Sequence, residues 1–166
     1  MIQRWGETTI VGTNVALVQS VVFTTNSFKT GVVADAESAW VSNCTVVATA
    51  GSAIGKRGAG SLRLRHNVLQ AGGTEVNSVI AWHDGGLVSD WNDLWAEGSA
   101  WIGTRNGKWE KLSYWQAASG QDGNSISFDP AFQNPSQGDF HLNSTAGRWN
   151  PTWNAWETDV THSVAI

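Results

Sequence analysis

The feature that most constrains this chain is an internal repeat. Four segments superimpose without gaps: Ala16–Phe23, Ala39–Val46, Leu62–Leu69 and Leu87–Leu94. The first column reads Ala16, Ala39, Leu62, Leu87, and the second reads Val18, Val41, Leu64, Ser89. The last reads Phe23, Val46, Leu69, Leu94, with spacings of 23, 23 and 25 in every column. A period in this range marks a unit that cannot bury its apolar face alone and must stack on its neighbours. The first two columns sit two residues apart, as a strand with one buried face requires. The third follows five residues later, so the chain bends between them. At the bend stand Val21, Cys44, Asn67 and Asn92. A buried turn position that accepts Asn fits a ladder in which each amide bonds the neighbouring coil. Ile54, Ile80 and Ile102 mark a further strand per coil, and Gly-rich corners such as Ala50-Gly51 and Ala71-Gly-Gly73 separate the strands. A leucine-rich repeat would need a Leu-x-x-Leu-x-Leu core and a helical turn per unit, and these coils have neither. The expected fold is all-β: a right-handed parallel β-helix of about 23 residues per coil over residues 1–107.

Composition narrows the partners. Eighteen Gly against three Pro suit many strands and tight turns. A formal net charge of −4 argues against nucleic acid, whose phosphates need a basic surface. No apolar run approaches the length of a membrane span. The single Cys44 excludes an internal disulfide, and residues 1–12 lack the charged-then-apolar layout of a signal peptide. Eleven Trp against one Tyr is the unusual number, and it suits either a packing device or a sugar-facing surface.

After Ile102 the pattern changes. The stretch Lys108–Gly120 places Leu112, Trp115 and Ala118 on one helical face, and Gly120 suits a C-terminal stop. Residues Ile126–Phe132 and Asp139–Leu142 read as strands. Trp149, Trp153 and Trp156 read as a loop that covers something, since an open β-helix end is an unpaired edge. Residues 108–166 therefore form a C-terminal extension packed on the same domain. At the other end Trp5 and Ile10 look available for burial, which would let a second copy pair end to end.

The tail carries a resemblance. Leu112-Ser-Tyr-Trp-Gln-Ala-Ala-Ser-Gly-Gln-Asp122, Asn124-Ser-Ile-Ser-Phe-Asp-Pro-Ala-Phe132, Gly138-Asp-Phe-His-Leu142 and Ser163-Val-Ala-Ile166 resemble a run that closes many secreted bacterial β-helix repeat proteins. These belong to the superfamily of pectate lyases and alginate epimerases. In those relatives the last motif usually reads Ser-Pro-Ala-Ile, and here Val164 replaces the proline. The resemblance implies the β-helix fold, a polysaccharide or cell-surface glycan as partner, an extracellular or cell-surface location for the parent protein, and a chain that is part of something longer.

The candidate chemistry lies just after the third-strand isoleucines. There stand Lys56 and Arg57, then Trp82, His83 and Asp84, then Thr104, Arg105 and Asn106. Strands of adjacent coils lie about 4.8 Å apart, so Arg57, His83 and Arg105 are expected in one column, with Asp84 orienting His83. Cations beside a His–Asp pair, flanked by Trp82, Trp101 and Trp109, form a plausible seat for an anionic sugar. The resemblance implies that His83 would serve as base and Arg57 or Arg105 would neutralise a uronate, were the site catalytic. The bland alternative is a solvated corner whose charges prevent edge association. Arg63 and Arg65 have structural neighbours in Trp40 and Asp90. His66 reads as a hydrogen-bonded turn residue at its bend, while His141 and His162 stand alone. No metal-ligand spacing exists. Asp90-Trp-Asn-Asp93 and Asp122-Gly-Asn124 offer oxygens for Ca²⁺ without the regular Asp spacing of a calcium loop, so no cofactor is expected. Three readings follow: a non-catalytic carbohydrate-binding or surface module, a fragment of a polysaccharide lyase or epimerase, and a structural spacer or adhesin segment.

Overall fold

A computed structural model describes residues 2–5, 7–27, 29–150 and 153–165. It divides into two compact units, Met1–Ser127 and Phe128–Ile166. The first is a β-solenoid of about four turns, with parallel rungs about 24 residues apart.

Its strands are β1 (Ile2–Trp5), β2 (Thr8–Val18), β3 (Ser20–Thr24), β4 (Val32–Ser42), β5 (Thr45–Ala48), β6 (Ile54–Lys56), β7 (Ser61–Arg65), β8 (Val68–Ala71), β9 (Ser78–Trp82), β10 (Gly86–Asp90), β11 (Asp93–Ala96), β12 (Trp101–Thr104) and β13 (Lys108–Trp109), followed by helix α1 (Leu112–Ser119). One lateral sheet stacks β1, β3, β5, β8 and β11 in parallel. The other runs β10-β7-β4-β6-β9-β12-β13, with β2 on β4. The long β4 pairs β6 with its first half and β7 with its second, so it turns a corner without losing its ladder. In later rungs that corner separates two strands. Among the described residues of this unit, only β13 runs antiparallel, against β12.

The interior columns hold for three of the four rungs. Ala39, Leu62 and Leu87 align, as do Val41, Leu64 and Ser89, and Val46, Leu69 and Leu94. All except Ser89 belong to one continuous apolar core. The first rung is displaced by one residue. Val15, Leu17 and Val22 stand opposite Ala39, Val41 and Val46, so the expected Ala16, Val18 and Phe23 are wrong. Ala16 and Val18 are exposed, while Phe23 is buried outside the interior core. The reason is that Val15-Ala16-Leu17-Val18 and Val21-Val22-Phe23 are uninterrupted apolar runs. Alternation fixes the phase of a strand, and these runs do not alternate.

The bend is built as a hydrogen-bonded column. Gln19, Asn43, His66 and Trp91 each take the left-handed conformation there, with φ between 49° and 59°. Such a φ strains any bulky non-Gly residue. It is stabilised by the next residue of each rung, in the column Ser20, Cys44, Asn67, Asn92, Ser125. Asn67 Oδ1 accepts from the Cys44 N–H (3.0 Å), and Asn67 Nδ2 donates to Val41 O (2.9 Å) and Asn92 Oδ1 (3.0 Å). Asn92 Oδ1 also accepts from the Asn67 N–H (3.1 Å), and its own N–H donates to Ser125 Oγ (2.9 Å). The expected amide ladder is present, with Ser20 in the place given to Val21. The Cys44 thiol donates to Ser42 O and Leu17 O, and burial raises it above its ordinary value against opposing backbone contacts.

The C-terminal side of the stack is closed by its own chain. Asp122, almost wholly buried, accepts from Ser89 Oγ (2.8 Å), Ser125 Oγ (2.7 Å) and Trp115 Nε1 (2.9 Å). Leu94 and Ile126 continue the lateral sheet through a parallel bridge at Asp93. Helix α1 ends at Gly120 as expected and buries Trp115 completely, while Leu112 packs against the core and Ala118 is exposed. At the first turn Ile10 is already buried in this chain's own core, against the expectation that it awaits a partner. The expectation for the Trp5 side chain lies outside what the structure describes.

The second unit contains two antiparallel hairpins. In the first, β14 (Phe132–Asn134) pairs β15 (Asp139–Leu142) around a 3₁₀ turn, Pro135–Gln137. The strand expected over Ile126–Phe132 thus reduces to a bridge at Ile126 and the first residue of β14. In the second, β16 (Arg148–Asn150) pairs β17 (Ala155–Glu157). The expected loop around Trp149 and Trp156 is this hairpin. His141 and His162 do not stand alone: His141 Nδ1 lies 2.6 Å from Asp139 Oδ1, and His162 accepts from the Thr145 N–H.

Candidate functional site

The charged corner is assembled by three rungs, and the ladder decides which side chains face out. Ile10, Ala34, Lys56 and Trp82 form one column through β2, β4, β6 and β9. That column points inward. Ile10, Ala34 and Trp82 belong to the core, and Lys56 has no exposed surface at all. Its ammonium donates to the carbonyls of Arg57 and Gly58 (2.7 Å to the latter), tying the corner loop to the stack. Burial depresses the Lys56 pKa, and the carboxylates of Asp35 and Asp84 oppose that shift without removing it. Lys56 is therefore an internal tie of the corner, out of reach of a polymer.

Trp82 is also interior. It meets Trp115 edge to face with ring centroids 6.5 Å apart, and its indole N–H donates to Gly85 O (3.0 Å). Arg57 and His83 follow Lys56 and Trp82 on consecutive rungs. They stand side by side, both exposed, with the His83 N–H donating to Lys56 O (3.0 Å).

Arg105 does not complete that column as expected. Gly103 stands opposite Ile80 and Thr104 opposite Ala81, which places Arg105 next to Trp82, one position short of His83. Its guanidinium lies 3.5 Å from the centroid of the Trp82 ring, a cation–π contact that seals the otherwise buried indole. The shift has a packing cause. A Cβ at Gly103 would collide with the Trp115 ring, so the interior position that isoleucine fills in the preceding rungs must be Gly here. The helix supplies the missing volume.

The remaining expected residues are divided. Asp84 Oδ1 accepts from the Gly85 N–H (3.1 Å), and no bond to His83 exists among the described residues, so the expected His–Asp pair is absent. Trp101 is half-buried, its indole N–H donating to Glu75 O (2.6 Å) with the Lys108 ammonium 5.6 Å over its ring. Trp109 is half-buried against the core. The structure thus brings Arg57, His83 and Arg105 to the surface of one corner. It withdraws Lys56 and Trp82 into the interior.

The two acidic turns considered for calcium adjoin each other. Asp90 accepts from Asn124 N (2.7 Å) and Asn124 Nδ2 (2.8 Å), and Asp122 is ringed by hydroxyl and indole donors. Burial raises the Asp90 pKa, but the Asn124 side-chain and backbone bonds outweigh it and leave the group below its ordinary value, with Arg65 helping. Carboxylates bonded in this way serve as caps. Arg65 lies beside Asp90 in register, and Arg63 beside Trp40, as expected. No cation–π contact joins Trp40 and Arg63 among the described residues.

No family model matches the chain, and no curated protein or solved structure matches it.

Proposed function

We propose that this chain is a non-catalytic carbohydrate-binding module of a secreted bacterial protein, allied to the pectate lyase-like β-helix superfamily. Its exposed corner of Arg57, His83 and Arg105 is the seat for an anionic polysaccharide. The observation that carries this reading is the presentation of these three groups within three successive rungs, on a scaffold whose ladder fixes their spacing. Asp35 and Asp84 flank the corner, so it is a mixed field in which the guanidinium groups provide the specific contacts to carboxylates. Catalysis is the weaker reading because Asp84 is committed to its own turn and, among the described residues, none orients the His83 ring.

The test is affinity electrophoresis of the wild type and of Arg57→Ala/Arg105→Ala in gels carrying pectate, alginate or a neutral glucan. Pectate or alginate should retard the wild type, less so as salt rises, and the variant should bind about tenfold more weakly. Equal retardation of both proteins by the anionic polymers, or none, would leave the corner as solvated surface, and retardation by no polymer at all would put the spacer reading first. Ultraviolet absorbance growing in the polymer solution would signal an unsaturated product and move the chain to the lyases.

A further inference from the structure

Three exposed tryptophans of the second unit are gathered on one hairpin. Trp149 on β16 stands directly opposite Trp156 on β17, and Trp153 sits in the connection between them. Directly opposed residues of an antiparallel pair project from the same face, so two indoles lie together on one side of the hairpin. They are 48% and 65% exposed, and Trp153 is 72% exposed. In the solenoid the N–H groups of Trp82, Trp101 and Trp115 are committed to Gly85, Glu75 and Asp122, and Trp91 is exposed singly at its bend (51%). Among the described residues none of the three hairpin indoles meets an acceptor. Keeping this much ring surface in water is costly and marks a contact surface.

The chemistry around the three rings selects the partner. The hairpin's one cation, Arg148, projects from the opposite face, where it is buried against Asp159 (3.1 Å) and Glu157 (3.6 Å). The indole face therefore offers no positive charge to an anionic polymer or an anionic lipid surface. It also lacks the aliphatic side chains that anchor a membrane-surface segment: Asn150, Asn154 and Ala155 separate the rings. A flat apolar surface edged by N–H donors matches the C–H face of a sugar ring bordered by hydroxyl acceptors. The platform is preformed, since a Cβ at Gly147 (φ +102°) would collide with the Trp156 indole, which rests on that backbone.

We propose that Trp149, Trp153 and Trp156 form a stacking platform for uncharged pyranose units of a polysaccharide. This rests on other residues than the charged corner and stands or falls separately from it. The test is affinity electrophoresis of the full chain in galactomannan, arabinoxylan and mixed-linkage β-glucan, with intrinsic fluorescence as a second readout. At least one neutral polymer should retard the wild type and blue-shift its emission. Trp153→Ala/Trp156→Ala should lose that retardation by at least tenfold while its circular dichroism stays that of the wild type, because both rings lie at the surface. Arg57→Ala/Arg105→Ala should keep it. The proposal is overturned if none of the three polymers retards the wild type, or if the tryptophan variant binds as the wild type does. Flotation with phosphatidylcholine/phosphatidylglycerol vesicles at the expense of polymer binding would also overturn it.

Discussion

The amide column makes Asn67 the most informative residue to change. Replacing it with Leu removes the acceptor of the Cys44 N–H and the donor to Val41 O, both within the bend. A buried polar group left without its partner costs about 1–3 kcal/mol, so two such groups give roughly 2–6 kcal/mol. The third lost bond, to Asn92 Oδ1, is partly replaced because that oxygen still accepts from the Asn67 N–H. Leu is also bulkier than Asn, and overpacking a tight bend adds about 1 kcal/mol or more. The expected loss is therefore around 3 kcal/mol or greater. In a stacked fold it acts at the interfaces with both neighbouring rungs. Urea unfolding followed by far-ultraviolet circular dichroism measures it. Asn92→Ala and the double variant with Asn67→Ala complete a cycle, whose coupling should reach at least about 1 kcal/mol because the two amides bond directly. A loss below about 0.5 kcal/mol in both single variants would refute the idea that the column holds the left-handed bend.

Two further outcomes test the interior. Leu64 is fully buried between Val41 and Ser89, so Leu64→Asp should yield no folded protein by circular dichroism, whereas Leu64→Met should cost less than about 1.5 kcal/mol; a folded Asp variant would remove Leu64 from the interior. Lys56 has its folded pKa below the ordinary 10.5, so the folded state gives up that proton first as the pH rises. Between the depressed value and 10.5 the wild type should gain stability relative to Lys56→Met, and a stability difference flat all the way through pH 10.5 would mean that burial does not act on this ammonium.

The repeat was legible because strand pairing is parallel and in register. Each rung then writes the same apolar positions into the sequence, and spacing alone marks Ala39, Val41, Leu62, Leu64, Leu69 and Leu94 as interior. Asn67 and Asn92 were legible for a related reason: a polar residue recurring between apolar columns has to find its bonds along the stack. The failures share one physical origin, that periodicity reports burial but not what does the burying. In the first rung the uninterrupted runs at residues 15–18 and 21–23 carry no phase, so a one-residue slip left the pattern equally apolar. At Gly103 the interior position is occupied from outside the repeat, by Trp115 of the helix, so Gly103 and not Ile102 stands opposite Ile80 and Arg105 lies one place short of His83. Lys56 shows the converse. A charged residue beside Arg57 reads as surface, yet its long stem runs inward and its ammonium ends on two carbonyls at the corner. The tryptophans divide on the same ground. Whether an indole is buried or exposed is a tertiary fact: Trp82 and Trp115 are buried in the solenoid, while Trp149 and Trp156 are brought opposite each other at the surface by a hairpin whose sequence signal is two tryptophans seven residues apart.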